Sequence, residues 1–233
     1  MSTASKPSIV FCHGLWADGS CFSQVIATLQ ADGHQAIAVQ YGLDSYEEDL
    51  ATIKRTMNRI DSPVILVGHS YGGATITGAG MDERVIGLVY ISAVAPDAGE
   101  TVQEQLNKYP SDIFGYVEIA DDRAWMRPDG TQFFCGDLSD EAQKLVWATH
   151  VAPDADLLNQ QKLTTEQVAW RHKPSWYVLA RKDRTVHPDL QRWVSTRMGA
   201  QVTEVESSHV PMLSQPALVI DVIRKAVAAV QNG

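Results

Sequence analysis

Ser70 sits at the centre of Gly68-His69-Ser70-Tyr71-Gly72, a G-x-S-x-G pentapeptide. The apolar run Val64 to Val67 precedes it, and the small-residue segment Gly72 to Gly80 follows. A strand that turns sharply into a helix at such a motif holds its serine strained, with the Oγ presented, and the flanking glycines leave room for the turn. A serine hydroxyl is a poor nucleophile at neutral pH. It needs a base within hydrogen-bond reach to take its proton, and the base needs an acid to orient it. Attack on a carbonyl carbon is the chemistry such a set performs.

In this kind of strand-turn-helix site the chain order runs nucleophile, acid, histidine. The late histidines are His172, His187 and His209. His209 follows the short strand Val202 to Val205 and precedes the last helix, so it falls at the carboxyl end of a strand, the edge where parallel sheets build sites. His172 precedes a strand and falls at the opposite edge. His187 is too close in sequence to the candidate acid to leave much choice of geometry. His209 is therefore the expected base. Asp183, after the strand Trp176 to Ala180, is the favoured acid, with Asp97, after the strand Val85 to Ile91, as its rival. Asp189 reads as a first-turn acid of the following helix. Two N–H donors for an oxyanion are expected from Tyr71, next to the nucleophile, and Leu15, in the loop Cys12-His13-Gly14-Leu15-Trp16 after the first strand. His13 reads as a structural histidine beneath that loop, and His69 as a packing residue of the turn.

The elements that must position these residues alternate. Ile9 to Cys12, Gln35 to Val39, Val64 to Val67 and Val85 to Ile91 read as strands, and Cys21 to Asp32 and Asp44 to Ile60 as helices. Val64 to Val67 is apolar throughout, as in a strand buried on both faces. Strands alternating with helices imply an α/β fold, a doubly wound, mainly parallel sheet. The pattern lapses after Ala95-Pro96-Asp97 and resumes with Trp176 to Ala180, a helix from Pro188 to Met198, the strand Val202 to Val205 and a helix from Pro216 to Val230. The chain thus reads as a single domain over 1–233, with a core at about 8–96 and 174–231. An insertion at about 97–173 is too long to be structureless, and a small helical lid is expected there. Trp125, Phe134 and Trp147 of that insertion, with Trp16, are the expected contributors to a substrate pocket. Apolar aromatic walls with a few polar groups suit a small-molecule site.

Composition excludes several classes. The net charge of −9 and the absence of a Lys/Arg cluster argue against nucleic acid as a partner. Cys12, Cys21 and Cys135 are odd in number and match no zinc spacing, and no H-x-x-x-H or H-E-x-x-H pattern occurs, so no metal is expected. Met1 to Ser8 is short and polar, unlike a secretory leader, and no apolar stretch approaches the ~18 residues of a membrane span. A cytoplasmic protein with reduced thiols, acting as a monomer or homodimer without a membrane partner, is the expectation.

Taken together, His13-Gly14 after a strand, Gly68-His69-Ser70-Tyr71-Gly72-Gly73, Asp183 after a late strand and Ser208-His209-Val210-Pro211-Met212-Leu213 resemble the α/β-hydrolase superfamily. The likeness is nearest to its compact branch of plant methylesterases, plant hydroxynitrile lyases and bacterial esterase relatives, and runs from about Ser8 to Val230 outside the insertion. The resemblance implies about six parallel strands, no cofactor and an acyl-enzyme route to hydrolysis of a small ester or lactone. It also implies two alternatives, a cofactor-free lyase and a non-catalytic ligand receptor. The lyases of this branch carry Lys directly after the catalytic His, where this chain has Val210. Dehalogenases and epoxide hydrolases carry Asp at the elbow, where this chain has Ser70. The cofactor-free haloperoxidases share the Ser-His-Asp set, which leaves a perhydrolase side activity open.

Overall fold

The computed structural model describes residues 6–160 and 162–232; the first five residues of the polar N-terminal segment lie outside it. The first half alternates β1 (Ser8–Cys12), α1 (Ser23–Ala31), β2 (Ala36–Ala38), α2 (Tyr46–Met57), β3 (Val64–His69), α3 (Gly72–Ala79) and β4 (Val85–Ile91). The insertion follows, with α4 (Val102–Leu106), the hairpin β5 (Val117–Ala120) and β6 (Arg123–Met126), α5 (Thr131–Phe134) and α6 (Asp140–Ala148). The core resumes with β7 (Ser175–Ala180), α7 (Pro188–Arg197), β8 (Gln201–Val205), α8 (Pro211–Ser214) and α9 (Pro216–Asn232).

The main sheet has six strands in the order β2-β1-β3-β4-β7-β8, every neighbouring pair parallel. Right-handed crossovers fix the layers. The step from β1 back to β2 puts α1 on one face, where it meets α9, and the forward steps put α2 and α3 together on the other. Both faces of the sheet are covered, so β1, β3 and β7 are buried along their whole length. The last helix is amphipathic in the same sense: Val219, Ile220, Val222, Ile223, Ala226 and Val227 are buried and recur at helical spacing. At the edges, β2 has three residues, and β8 is more exposed, with Glu204 pairing to Arg181 at 3.4 Å and to Arg192 at 3.6 Å.

The insertion differs from an all-helical lid. Its β5–β6 ladder is antiparallel, closed by Asp121 and Asp122, both in left-handed conformation with φ of 51° and 58°. Positive φ at both central residues gives a two-residue turn whose twist matches the strands it joins. The insertion is tied to the core by Trp16, whose Nε1 donates to the Ala124 carbonyl at 2.8 Å. A second tie is Asp137, which accepts from the Ser208 backbone N–H at 2.9 Å and from the Ser208 hydroxyl. Burial works against the charged Asp137 carboxyl, but hydrogen bonds from Ser208, Ser214 and Ser207 outweigh it and hold the group below its ordinary value.

Candidate active site

Four loops at the carboxyl ends of β1, β3, β7 and β8 bring the candidate residues to one rim of the sheet. β1 and β3 are neighbours whose connections leave in opposite directions. That is the switch point where open α/β sheets leave a crevice. Leu15 and Ser70 stand on its two sides.

Ser70 has φ of 54°, a left-handed conformation that costs an L-residue about 1–2 kcal/mol. The surroundings hold it there. Its N–H donates to Ile91 at 3.1 Å, and its carbonyl accepts from Gly73 at 2.9 Å and Val94 at 3.2 Å. The small residues are required by close approach: a Cβ on Gly72 would meet the Cys12 carbonyl oxygen at 2.2 Å, and one on Gly14 would meet Ser70 Cβ at 2.6 Å. The first contact seats α3 against β1. The second presses the His13-Gly14 loop onto the nucleophile's own carbon. The backbone N–H groups of Leu15 and Tyr71 donate to no other group among the described residues.

His209 Nδ1 donates to Asp183 Oδ2 at 2.7 Å, with both side chains fully buried. This fixes the tautomer and leaves Nε2 as the acceptor nitrogen. Nε2 is buried and has no hydrogen-bond partner among the described residues. Asp97 stands apart from this pair. It is bound bidentately by Arg171 at 2.9 and 2.8 Å, which removes the rival acid. His187 lies on the surface and accepts from the Asp189 N–H at 3.2 Å.

Three supporting residues were not legible in the sequence. Asp183 Oδ1 accepts from the N–H groups of Thr185 at 2.8 Å and Val186 at 2.9 Å, and Oδ2 accepts from Gln191 Nε2 at 2.7 Å as well as from His209. Gln191, on α7, also bonds the Val186 carbonyl at 2.7 Å and the Ala180 N–H at 3.0 Å. Replacing Gln191 with Leu is expected to cost about 2–4 kcal/mol of stability, because it leaves buried backbone groups unpaired; a urea titration of both proteins measures it. His69 does more than pack. Its Nε2 donates to the His209 carbonyl at 2.8 Å, and the two rings lie 4.6 Å apart. Burial, with His209 beside it, pushes the His69 imidazole well below its ordinary value, so it stays neutral. His13 stacks on Tyr41 at 4.1 Å, beneath the loop as expected.

Asp49 is the third. It is buried in the first turn of α2 and accepts from the Tyr71 hydroxyl at 2.9 Å, behind the N–H that follows the nucleophile. Burial pushes its carboxyl up to about 7, against the hydrogen bond from Tyr71. In the unfolded chain it ionises near pH 4. The fold therefore favours the protonated form: the stability it contributes is full below about pH 4 and is lost as pH rises through about 7. Asp49→Asn is neutral at every pH. Its melting temperature is expected to gain on the parent by at least about 3 °C between pH 5 and pH 8, a difference readable by thermal-shift measurement.

The pocket aromatics divide. Trp16 and Phe134 line cavities at the site. Trp125 and Trp147 line neither and are corrected to the outer surface of the insertion, about two-fifths exposed. Their indole N–H groups donate to the Ala120 and Met126 carbonyls, and both rings pack around His150. These bonds hold the rings to the hairpin rather than over Ser70. The three cysteines are free thiols, and burial pushes Cys12 and Cys135 up to about 12, which leaves them protonated and inert. Among the described residues no three His, Cys, Asp or Glu side chains converge to hold a metal, and no helix is long and apolar enough to cross a membrane.

Comparison with known proteins identifies the family and the fold. A family model described as alpha/beta hydrolase family matches residues 9–222. The chain is 26% identical to an alpha/beta hydrolase, nvfD, of Aspergillus novofumigatus, over 95% of this chain and 96% of that protein. It is 24% identical to methylesterase 8 of Arabidopsis thaliana, over 93% of this chain and 88% of that protein. The structure of a pyrethroid hydrolase from Sphingobium faniae JZ-2 superposes with a TM-score of 0.81 over 96% of this chain and 98% of that one, at 21% identity.

Proposed function

Because this chain belongs to the alpha/beta hydrolase family, we propose that it is a serine esterase, opening a small carboxylic ester or lactone through an acyl-enzyme on Ser70. One observation carries the reading: a buried histidine with one ring nitrogen bound to a buried carboxylate and the other left without a partner, delivered by the loop after β8 to the sheet rim where the loop after β3 holds a serine in a left-handed turn. A buried unpaired nitrogen is costly, and a role in catalysis is one reason a protein keeps it. The esterase activity named for the plant relative supports the same choice.

Each residue has a step in this reading. His209 Nε2 takes the Ser70 proton as Oγ attacks the ester carbonyl, and the N–H groups of Leu15 and Tyr71 receive the oxyanion. Asp183 holds the imidazole and balances its charge. The imidazolium then protonates the alcohol oxygen as its bond to the acyl carbon breaks. Water, deprotonated by the same nitrogen, attacks the acyl carbon, and the imidazolium returns that proton to Ser70 Oγ as the bond between Oγ and the acyl carbon breaks and the acid leaves. Val210, buried and apolar, offers no cation beside the base to receive a cyanide leaving group, which disfavours the lyase alternative. The test is a fluorophosphonate probe with peptide mapping, run beside a panel of methyl, aryl and lactone substrates. One label per chain on the Ser70 peptide, with turnover of an ester, is the expected result; turnover without labelling, or a label elsewhere, overturns the reading.

A further inference from the structure

Two cavities meet at Trp16. The smaller, about 20 Å³, has Ser70, Leu15 and Tyr71 in its wall and is narrowed by the apolar side chains of Leu106, Phe114 and Val186. The larger, about 350 Å³, lies against Ala17, Cys21, Phe134, Val146, Val210 and Leu213. Trp16 belongs to both walls and is held firmly: it is buried, left-handed with φ of 54°, and hydrogen-bonded to the hairpin. Phe134 packs edge-on against it, with ring centres 6.2 Å apart, and edge-on against His209 at 5.1 Å. The partition between the cavities therefore borders the base.

We propose that the larger cavity seats the leaving alcohol and the smaller one a short acyl group, so that esters of small acids with bulky apolar alcohols are the substrate class. This rests on the serine-esterase reading and adds a polarity to it. The nitrogen that deprotonates Ser70 must hand that proton to the alcohol oxygen, so this oxygen has to lie beside His209. The wall that continues from His209 is Val210, Met212 and Leu213, and it faces the larger cavity. A group carried on the alcohol oxygen runs along that wall. The acyl carbon is bonded to Ser70 Oγ, and its oxygen is turned to Leu15 and Tyr71, so its substituent is confined to the smaller cavity. Room for about one water-sized group is what 20 Å³ allows. Lengthening the acyl group crowds it against Leu106 and Phe114. Lengthening the alcohol fills space that already exists, at about fourfold in kcat/KM per buried methylene.

Benzyl acetate and methyl phenylacetate are isomers with alcohols of nearly equal acidity, and they differ in which side of the ester is bulky. The expected result is a kcat/KM at least about 10-fold higher for benzyl acetate, as a few buried methylene equivalents imply. Val146→Trp, on the insertion side of the larger cavity, should lower the ratio of benzyl acetate to methyl acetate turnover by a similar factor. Thr149→Trp, at the exposed rim of the same cavity, repeats the measurement if Val146→Trp does not fold. Equal or reversed preference in the parent protein overturns the assignment, as does a filling variant that slows both acetates alike. Turnover of neither isomer by a protein whose Ser70 still takes the fluorophosphonate also overturns it while the serine reading stands. No labelling of Ser70 overturns the serine reading and the assignment with it.

Discussion

Ser70→Ala is expected to lower kcat for ester hydrolysis by about 10⁴–10⁶, with KM little changed and fluorophosphonate labelling abolished. The residue left behind cannot form the acyl-enzyme, but the proposed oxyanion donors, the Leu15 and Tyr71 N–H groups, are untouched by the substitution. Rate above the uncatalysed reaction therefore remains, supplied by binding and those donors. The conformation of the site sharpens the experiment. Alanine keeps the Cβ that makes φ of 54° unfavourable, so its stability should match the parent. Ser70→Gly removes that cost and should be about 1 kcal/mol more stable than Ser70→Ala by thermal or urea unfolding, while equally inactive. A serine that served only to build the turn would be replaced by glycine with no loss of turnover.

The second large effect is at Asp183. Its two oxygens accept four hydrogen bonds, from Thr185 N, Val186 N, Gln191 Nε2 and His209 Nδ1. Asparagine has one oxygen to give. Turned towards the two backbone donors, it sets its NH₂ against Gln191 and the imidazole, and His209 must then present Nδ1 as an acceptor and carry its proton on Nε2. That tautomer cannot take the serine proton. Turned the other way, the NH₂ faces two backbone N–H groups. Asp183→Asn is therefore expected to lower kcat by about 10³–10⁴ with little change in KM. Steady-state kinetics on one ester, read beside a histidine-selective NMR spectrum that reports which ring nitrogen is protonated, tests both halves of the claim. A full-rate variant would remove Asp183 from the triad and leave its role to packing.

How much of this was legible in the chain depends on how local the cause is. The elbow at Ser70 is written in five consecutive residues between an apolar strand and a run of small residues, because the turn and the close packing of α3 on β1 are short-range demands. The six-strand parallel sheet was legible for a similar reason: strands buried on both faces carry continuous apolar runs. Gln191 was not, since a glutamine in mid-helix announces nothing until α7 is laid beside the Asp183 loop. The β5–β6 hairpin escaped because Asp121-Asp122 is a weaker turn signal than Asn-Gly, and its four-residue strands are too short to show a period. Aromatic character alone points to Trp125 and Trp147 as pocket residues; the carbonyls that claim their indole N–H groups are fixed only by the folded insertion.

The exposed strand β8 bears on how copies of this protein meet. An open sheet edge offers a row of unpaired backbone groups to any passing strand. Here that row carries Glu204, already engaged by Arg181 and Arg192, so a neighbour adding a strand must bury or displace those charges. The opposite edge is three residues long and offers little to pair with. Charge on one edge and shortness at the other both disfavour growth of the sheet by lateral addition of a strand.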